Sequence, residues 1–462
     1  MGLPSLGHAA QWAMLVQLLV ITVVAHLAGA AARRLRQPAV IGQLVAGVLL
    51  GPSVLGVLWP GGEHRLVPGE TLLGAPINTV AWLGAAFLLL LTGLDTDLGV
   101  IRRLGRPALM IAAGAVLVPF AAGVGLALLL PDSFAGGAAS RPSFVLLVAV
   151  SLSISSIPVV ARVLTELGFL KADFGQMILT VALVSDAVGW MALAGVTVLA
   201  GPGGGDAGEL LAPVAGLLLL TAVLVLVAPR LVDAALARVR RSDRLPGGTG
   251  GTGGTGREGE AGEAGEAGTG GSGDLLVAVV LALVLAVAAD AVGSDGLLGA
   301  FAAGLLLGRS PHYRPRLRGQ LEPVTLVLLA PVFFAVAGLR MDLTVLSSAE
   351  ALLWAAGYLA VAVCFKVAGA YGGARLARLP RRQGLAVAVG LNCRGAVEVV
   401  VASVGLSAGV LSETGYTVIV LMALLTTAAT GPLLRAVAPP PGRLLKPAGP
   451  RAGSADRVRA AR

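Results

Sequence analysis

The sequence predicts an all-α polytopic membrane protein: about thirteen transmembrane helices, inverted repeats around a linker helix, and two crossing, locally unwound helices. Three observations carry the membrane class and the inverted repeat. Of 462 residues, 56% are hydrophobic and only 13% charged, whereas soluble domains carry about 25% charged residues. The apolar residues gather into segments of spanning length, about 20 residues each, several of them short or interrupted by Gly and Pro. Two patterns of the first half also recur in the second half, running in the opposite direction.

The spans of the first half are expected at residues 11–31, 39–58, 77–94, 107–130, 143–165, 174–200 and 209–230. Those of the second half are expected at 275–292, 296–308, 321–339, 348–376, 383–408 and 414–437. No Lys or Arg precedes the first apolar run, so it reads as a retained span and not a cleaved leader. His26 within that span has no polar companion and reads as a packed side chain.

The loops alternate in charge, as the positive-inside rule requires. One set holds most of the cations, among them Arg33, Arg34 and Arg36, then Arg102, Arg103 and Arg106, then Arg309, Arg314, Arg316 and Arg318. The other set has only Arg65, Arg141 and Arg340, beside Glu63, Asp132, Asp206, Asp295 and Glu413. A missed span would scramble this alternation. It therefore supports an odd span count in a multi-pass cell-membrane protein, with the N-terminus outside and the C-terminus in the cytoplasm. The net charge of +9 is spread over these short loops, which argues against a nucleic-acid partner and for a lipid bilayer around the chain.

The repeat is written mainly in glycines. Ile41–Gly51 reads IGQLVAGVLLG and Leu298–Gly308 reads LGAFAAGLLLG, matching Gly42 with Gly299, Gly47 with Gly304 and Gly51 with Gly308. A second pair follows in the same order, GLDTDL from Gly93 and GLRMDL from Gly338. The loop charges give the two units opposite directions. Inverted repeats with broken helices near the midplane are a construction of secondary transporters, whose substrate sites lie at the repeat interface.

The domain reading follows. Residues 1–230 form a first membrane half (helices 1–6 plus a linker helix 7), and residues 231–273 a flexible, Gly-rich cytoplasmic linker. Residues 274–438 form the second membrane half, helices 8–13, and 439–462 a short basic cytoplasmic tail. That tail has no GxGxxG and no room for a nucleotide-binding domain, so no cofactor is expected. Cys364 and Cys393 fall in apolar segments without paired spacing, so neither a disulfide framework nor a bound metal is indicated.

The candidate site centres on Asp186, a lone carboxylate within ILTVALVSDAVGWMAL (178–193). A charge at this depth costs at least about 2.5–3.5 kcal/mol and persists where a cavity, partner or bound ion compensates it. The competing reading is structural: an Asp held by a lysine or by helix-end amides. Span five contains SLSISSIP, Ser151–Pro158, where proline removes a donor and the serines compete for backbone groups, so a break is expected. Span twelve carries Asn392-Cys393-Arg394-Gly395 within an apolar run, a second break. Carbonyls freed at such breaks can coordinate a cation. Ser155, Ser156 and Ser185 would add oxygen ligands to Asp186. Lys366 is too deep to snorkel, with Asp186 its natural partner; Arg394 and Glu398, spaced i, i+4, can pair along one helix face. Lys366, Asn392, Arg394 and Glu398 are thus read as charge-compensating or structural.

These motifs resemble the second branch of the monovalent cation:proton antiporter superfamily, whose members include Kef-type and cation/H+ exchanger-like sodium/hydrogen exchangers. The resemblance runs from GQLVAGVLLGPSVLG (42–56) to the end of span thirteen, and its most specific pieces are PVFFAVAGLRMDL (331–343) and LNCRGAVEVVVASVGL (391–406). It implies the sodium/proton antiporter fold, a homodimer, and a core of spans four to six and eleven to thirteen. That core would move against a scaffold of spans one to three and eight to ten. Members with a pair of Asp residues at the site tend to be electrogenic. Here Ser185 precedes Asp186, which implies one cation for one proton. The expected function is therefore exchange of K+ or Na+ for H+ by alternating access, linked to pH homeostasis. A passive channel or a membrane sensor on the same fold is the alternative. No HExxH or serine-nucleophile motif points to an enzyme.

Overall fold

A computed structural model describes residues 8–35, 37–59, 74–95, 98–170, 172–200, 226, 228–244, 272–291 and 296–438. The elements are α1 (His8–Arg34), α2 (Ala39–Leu50) with a π-helical turn at Pro52–Gly56, α3 (Gly74–Asp95), α4 (Leu98–Leu129), α5 (Arg141–Ser153), α6 (Ile157–Glu166), α7 (Asp173–Ala200) and α8 (Ala228–Arg244). The second half continues with α9 (Ser272–Ala291), α10 (Gly296–Arg309), α11 (Pro315–Val324), a π-helical turn at Thr325–Leu329, α12 (Ala330–Leu339), α13 (Ala349–Leu376), α14 (Arg381–Gly390), α15 (Ala396–Ser407) and α16 (Glu413–Val437). There is no named strand among the described residues, and nine of the helices there are long and apolar enough to cross a membrane. The shorter apolar helices include α5, α10 and most of α15.

Every expected span except the seventh has a helical counterpart; nearly all of 209–230 lies outside the described residues, as does most of the Gly-rich segment. One boundary is corrected. The expected linker 231–273 does not begin as flexible chain, because α8 runs to Arg244. Its Ala228, Val232 and Leu236 are buried in one cluster with residues of α9 and α10, a 4-residue spacing that the high Arg content of this stretch masks on a hydropathy reading.

The glycine repeat is realised in packing. A Cβ on Gly47 of α2 would stand 2.0 Å from the Ala335 carbonyl oxygen of α12, and one on Gly338 would stand 2.1 Å from the Leu44 oxygen. The matching residues make the matching contact: a Cβ on Gly304 of α10 would stand 2.1 Å from Leu90 O of α3, and one on Gly93 would stand 2.3 Å from Phe301 O. Gly42 and Gly299 likewise press on Ala28 O of α1 and Leu285 O of α9, at 2.1 and 2.2 Å from the hypothetical Cβ. Each repeat thus grips the other through helices whose backbones touch, as small residues permit in lipid.

The other layer contains α4–α7 and α13–α16. Here Gly114 of α4 and Gly369 of α13 face each other, each Cβ position 2.2 Å from the other's carbonyl oxygen. Spans five and twelve are both broken. The first is divided at Ile154–Ser156 between α5 and α6, the second at Leu391–Gly395 between α14 and α15. Both breaks fall where Pro158 with its serines, and the Asn-Cys-Arg-Gly run, interrupt the apolar pattern.

Candidate functional site

The two breaks are tied to each other. Ser155 Oγ donates to Leu391 O at 2.8 Å, and Ser156 N donates to Cys393 O at 3.4 Å. Each break also exposes two helix ends, and a helix end carries roughly half a charge, positive at its N-terminus and negative at its C-terminus. Which groups meet these ends determines the chemistry of the site.

The C-terminus of α5 is met by two cations. Arg394 donates through Nη1 to Ser151 O and through Nη2 to Leu152 O, the latter at 2.7 Å. Lys366 Nζ donates to Ser153 O and, at 3.4 Å, to Ile154 O. These are the terminal carbonyls that lack an intrahelical donor. The N-terminus of α6 is met by Asp186, whose Oδ2 accepts from Ile157 N at 3.2 Å. The N-terminus of α15 is met by Glu398, whose Oε2 accepts from Gly395 N at 2.8 Å. The fourth end, the C-terminus of α14, is treated differently: its carbonyls meet turn amides, Ser155 Oγ and Ser156 N bond the Leu391 and Cys393 carbonyls just beyond it, and no cation among the described residues reaches it.

Two expected pairings are thereby corrected. Lys366 makes no ion pair with Asp186; it is taken by the α5 carbonyls. Arg394 does not pair with Glu398 either, because the guanidinium reaches α5 while the carboxylate folds back onto its own helix start. In both cases a helix end supplies the counter-charge that a sequence reading assigns to a side chain.

Asp186, Lys366, Arg394 and Glu398 are all fully buried, and Asn392 is 3% exposed. Around the two breaks, five buried oxygens have no hydrogen-bond partner among the described residues: Ser156 Oγ, Ser185 Oγ, Asp186 Oδ1, Asn392 Oδ1 and Glu398 Oε1. Buried polar atoms are normally satisfied, so unpartnered oxygens on residues of both breaks and on the Asp186 helix set this region apart. Ser155, by contrast, is committed to the Leu391 carbonyl. Helix-end amides do hold one oxygen of Asp186, as the structural reading expects, but the other is left over.

Two residues were missed in the sequence. Tyr358 of α13 is buried with its hydroxyl 2.5 Å from Ser151 Oγ. Thr427 of α16 accepts from Arg394 N at 3.2 Å and donates to Arg394 O at 2.5 Å, clamping the backbone beside the second break. The available signal was a lone tyrosine and a Thr-Thr pair inside apolar runs. His26 is half-buried, with Nδ1 2.8 Å from Thr22 O one turn back.

The model of the sodium/hydrogen exchanger transmembrane family matches residues 20–245 and 271–438. Cation/H(+) antiporter 19 of Arabidopsis thaliana is 30% identical over 92% of this chain and 50% of its own length. K(+)/H(+) antiporter 1 of Saccharomyces cerevisiae is 29% identical over 92% of this chain and 46% of its own. This chain therefore spans about half the length of these plant and yeast relatives. High-affinity Na(+)/H(+) antiporter NhaS3 of Synechocystis is 30% identical over 92% of this chain and 89% of its own. The sodium proton antiporter MjNhaP1 of Methanocaldococcus jannaschii shares the fold, with TM-score 0.58 and 16% identity over 93% of this chain and 99% of that one. The two breaks, their charged caps and these matches lead to one assignment: the chain belongs to the sodium/hydrogen exchanger family.

Proposed function

We propose that this chain exchanges a monovalent cation, K+ or Na+, for H+ across the membrane, with Asp186 binding one or the other in turn. The observation that carries the proposal is the set of orphaned oxygens, Ser156 Oγ, Ser185 Oγ, Asp186 Oδ1, Asn392 Oδ1 and Glu398 Oε1, at breaks where the C-terminus of α14 meets no cation among the described residues. A partly dehydrated cation at Asp186 would draw on such oxygens as ligands; a proton on Asp186 would neutralise the carboxylate alone. The relatives' names, antiporters of K+, Na+ or unspecified cations with H+, agree with this reading.

Coupling follows from cost. A bare carboxylate within the membrane is expensive, so the deprotonated, cation-free state resists reorientation, and only loaded states cross. With Ser185 in place of a second carboxylate, one charge is shared between one cation and one proton, giving electroneutral exchange. In this reading the layer of α4–α7 and α13–α16 moves against the glycine-locked layer of α1–α3 and α9–α12. The chain works as a homodimer, N-terminus outside and C-terminus in the cytoplasm, in two membrane halves joined by the segment beyond α8.

The test is collapse of an imposed pH gradient in proteoliposomes on adding K+ or Na+, with the membrane potential clamped and then released. Proton efflux coupled to either ion, unchanged by the potential and absent in Asp186→Asn, is the expected result. Cation flux without proton flux would favour a channel, and retained exchange in Asp186→Asn would overturn the site.

A further inference from the structure

Arg340 is one of three cations in the loop set otherwise poor in Lys and Arg, and the site above makes no use of it. It follows the last residue of α12 at the rim of a cavity of about 210 Å³, which opens between α3, α10 and α12 on one side and α15 on the other. The walls are mainly apolar and include Trp82, Phe333, Val400 and Val404. The rim is polar and cationic: Arg340 Nη2 donates to Asn78 Oδ1 at 3.0 Å, and no carboxylate among the described residues lines the cavity. The closest acid in sequence, Asp342, accepts from Thr344 N at 2.9 Å and from Thr344 Oγ1 at 2.6 Å.

This arrangement suits neither water nor a cation. A guanidinium at the mouth repels cations, and the cavity is bounded mostly by groups that offer water no hydrogen bonds. An anionic head on an apolar chain complements both parts: a guanidinium pairs with a phosphate through charge-assisted hydrogen bonds, and the walls accept methylenes. We propose that this cavity is a binding site for an anionic phospholipid, with its phosphate at Arg340 and one acyl chain between α3 and α15. The binding stands whether or not the transport reading holds, because its readout is lipid occupancy.

The test uses the full chain reconstituted with phosphatidylglycerol carrying a photoactivatable acyl chain, and separately with phosphatidylcholine bearing the same label, followed by peptide mapping. The expected result is labelling around Val404 and Trp82, severalfold stronger with phosphatidylglycerol. Arg340→Gln should erase that preference, Arg340→Lys should keep it, and Val404→Trp should abolish labelling by filling the cavity. A monodisperse elution profile serves to confirm folding of each variant. Equal labelling by both lipids in the wild type, or a preference that survives Arg340→Gln, overturns the proposal as unselective boundary lipid. Absence of label in the wild type also overturns it, and reaction of Val404→Cys with a membrane-impermeant maleimide would then identify the cavity as an aqueous vestibule.

Discussion

The two broken spans are related by the same repeat that relates the glycine contacts, yet they differ where it matters. In the glycine-locked layer the copies match contact for contact: Gly47 on α12 and Gly304 on α3, Gly42 on α1 and Gly299 on α9. At the crossing the match stops. The C-terminus of α5 is closed by Lys366 and Arg394, whereas that of α14 is met by a serine hydroxyl and backbone amides. Repetition duplicated the packing but not the electrostatics. Close packing needs only small residues at matching positions, so it survives duplication. A cation site needs one negative end left open, and two identical ends closed by fixed cations would leave nowhere for a mobile one.

The harshest test addresses the symmetric layer. Gly338→Val and Gly304→Val each place a branched side chain where even a Cβ meets backbone at about 2 Å, with no flexible neighbour to yield. Both should cost at least about 5 kcal/mol, in the range reserved for gross steric failure. The measurement is recovery of monodisperse protein in detergent, and near-complete loss is expected for both. If one is tolerated and the other not, the equivalence of the two grips is broken.

Next come the cations that distinguish the two breaks. Arg394→Met strands the carbonyls of Ser151 and Leu152, at about 1 to 3 kcal/mol for each buried acceptor left unmade. Lys366→Met strands those of Ser153 and Ile154; the Ile154 contact is already long at 3.4 Å, so its loss should be the milder one. Apparent melting temperature in detergent reads both. Arg394→Met should fall further than Lys366→Met, and the reverse order would mean that the ammonium, not the guanidinium, holds the end of α5.

Much of this was legible in the sequence, for reasons that differ by feature. The breaks were readable because proline, clustered serines and an Asn-Cys-Arg-Gly run are conspicuous in apolar helices. The repeat was readable because close backbone approach tolerates almost nothing but glycine, which fixes the residue type. The partners of Lys366 and Arg394 were not readable. Sequence reasoning pairs opposite formal charges, Lys366 with Asp186 and Arg394 with Glu398, and carbonyl dipoles at a helix end have no letter in the alphabet. Asn392 was read as structural for a related reason, since nothing in its neighbours shows that its oxygen is left without a donor. The helical start of the expected linker was hidden by its arginines, which dominate a hydropathy reading although Val232 and Leu236 are buried.

The gentlest prediction uses two adjacent serines with opposite duties. Ser155 Oγ holds the Leu391 carbonyl, so Ser155→Ala leaves a buried acceptor unmade and should cost about 1 to 3 kcal/mol of stability. Ser156 Oγ holds nothing among the described residues, so Ser156→Ala should leave stability within about 0.5 kcal/mol of the parent. In transport the order inverts. If Ser156 Oγ is a ligand worth about 1.4 kcal/mol, Ser156→Ala raises the cation concentration for half-maximal exchange about tenfold, while Ser155→Ala leaves it nearly unchanged in the protein that folds. Melting temperature and half-saturating cation concentration, measured on the two variants together, separate a stitch from a ligand one residue apart. An unshifted half-saturation in Ser156→Ala would mean that the open end of α14 is filled without that hydroxyl, and the cation would then have to be held by Asp186, Ser185 and Asn392 alone.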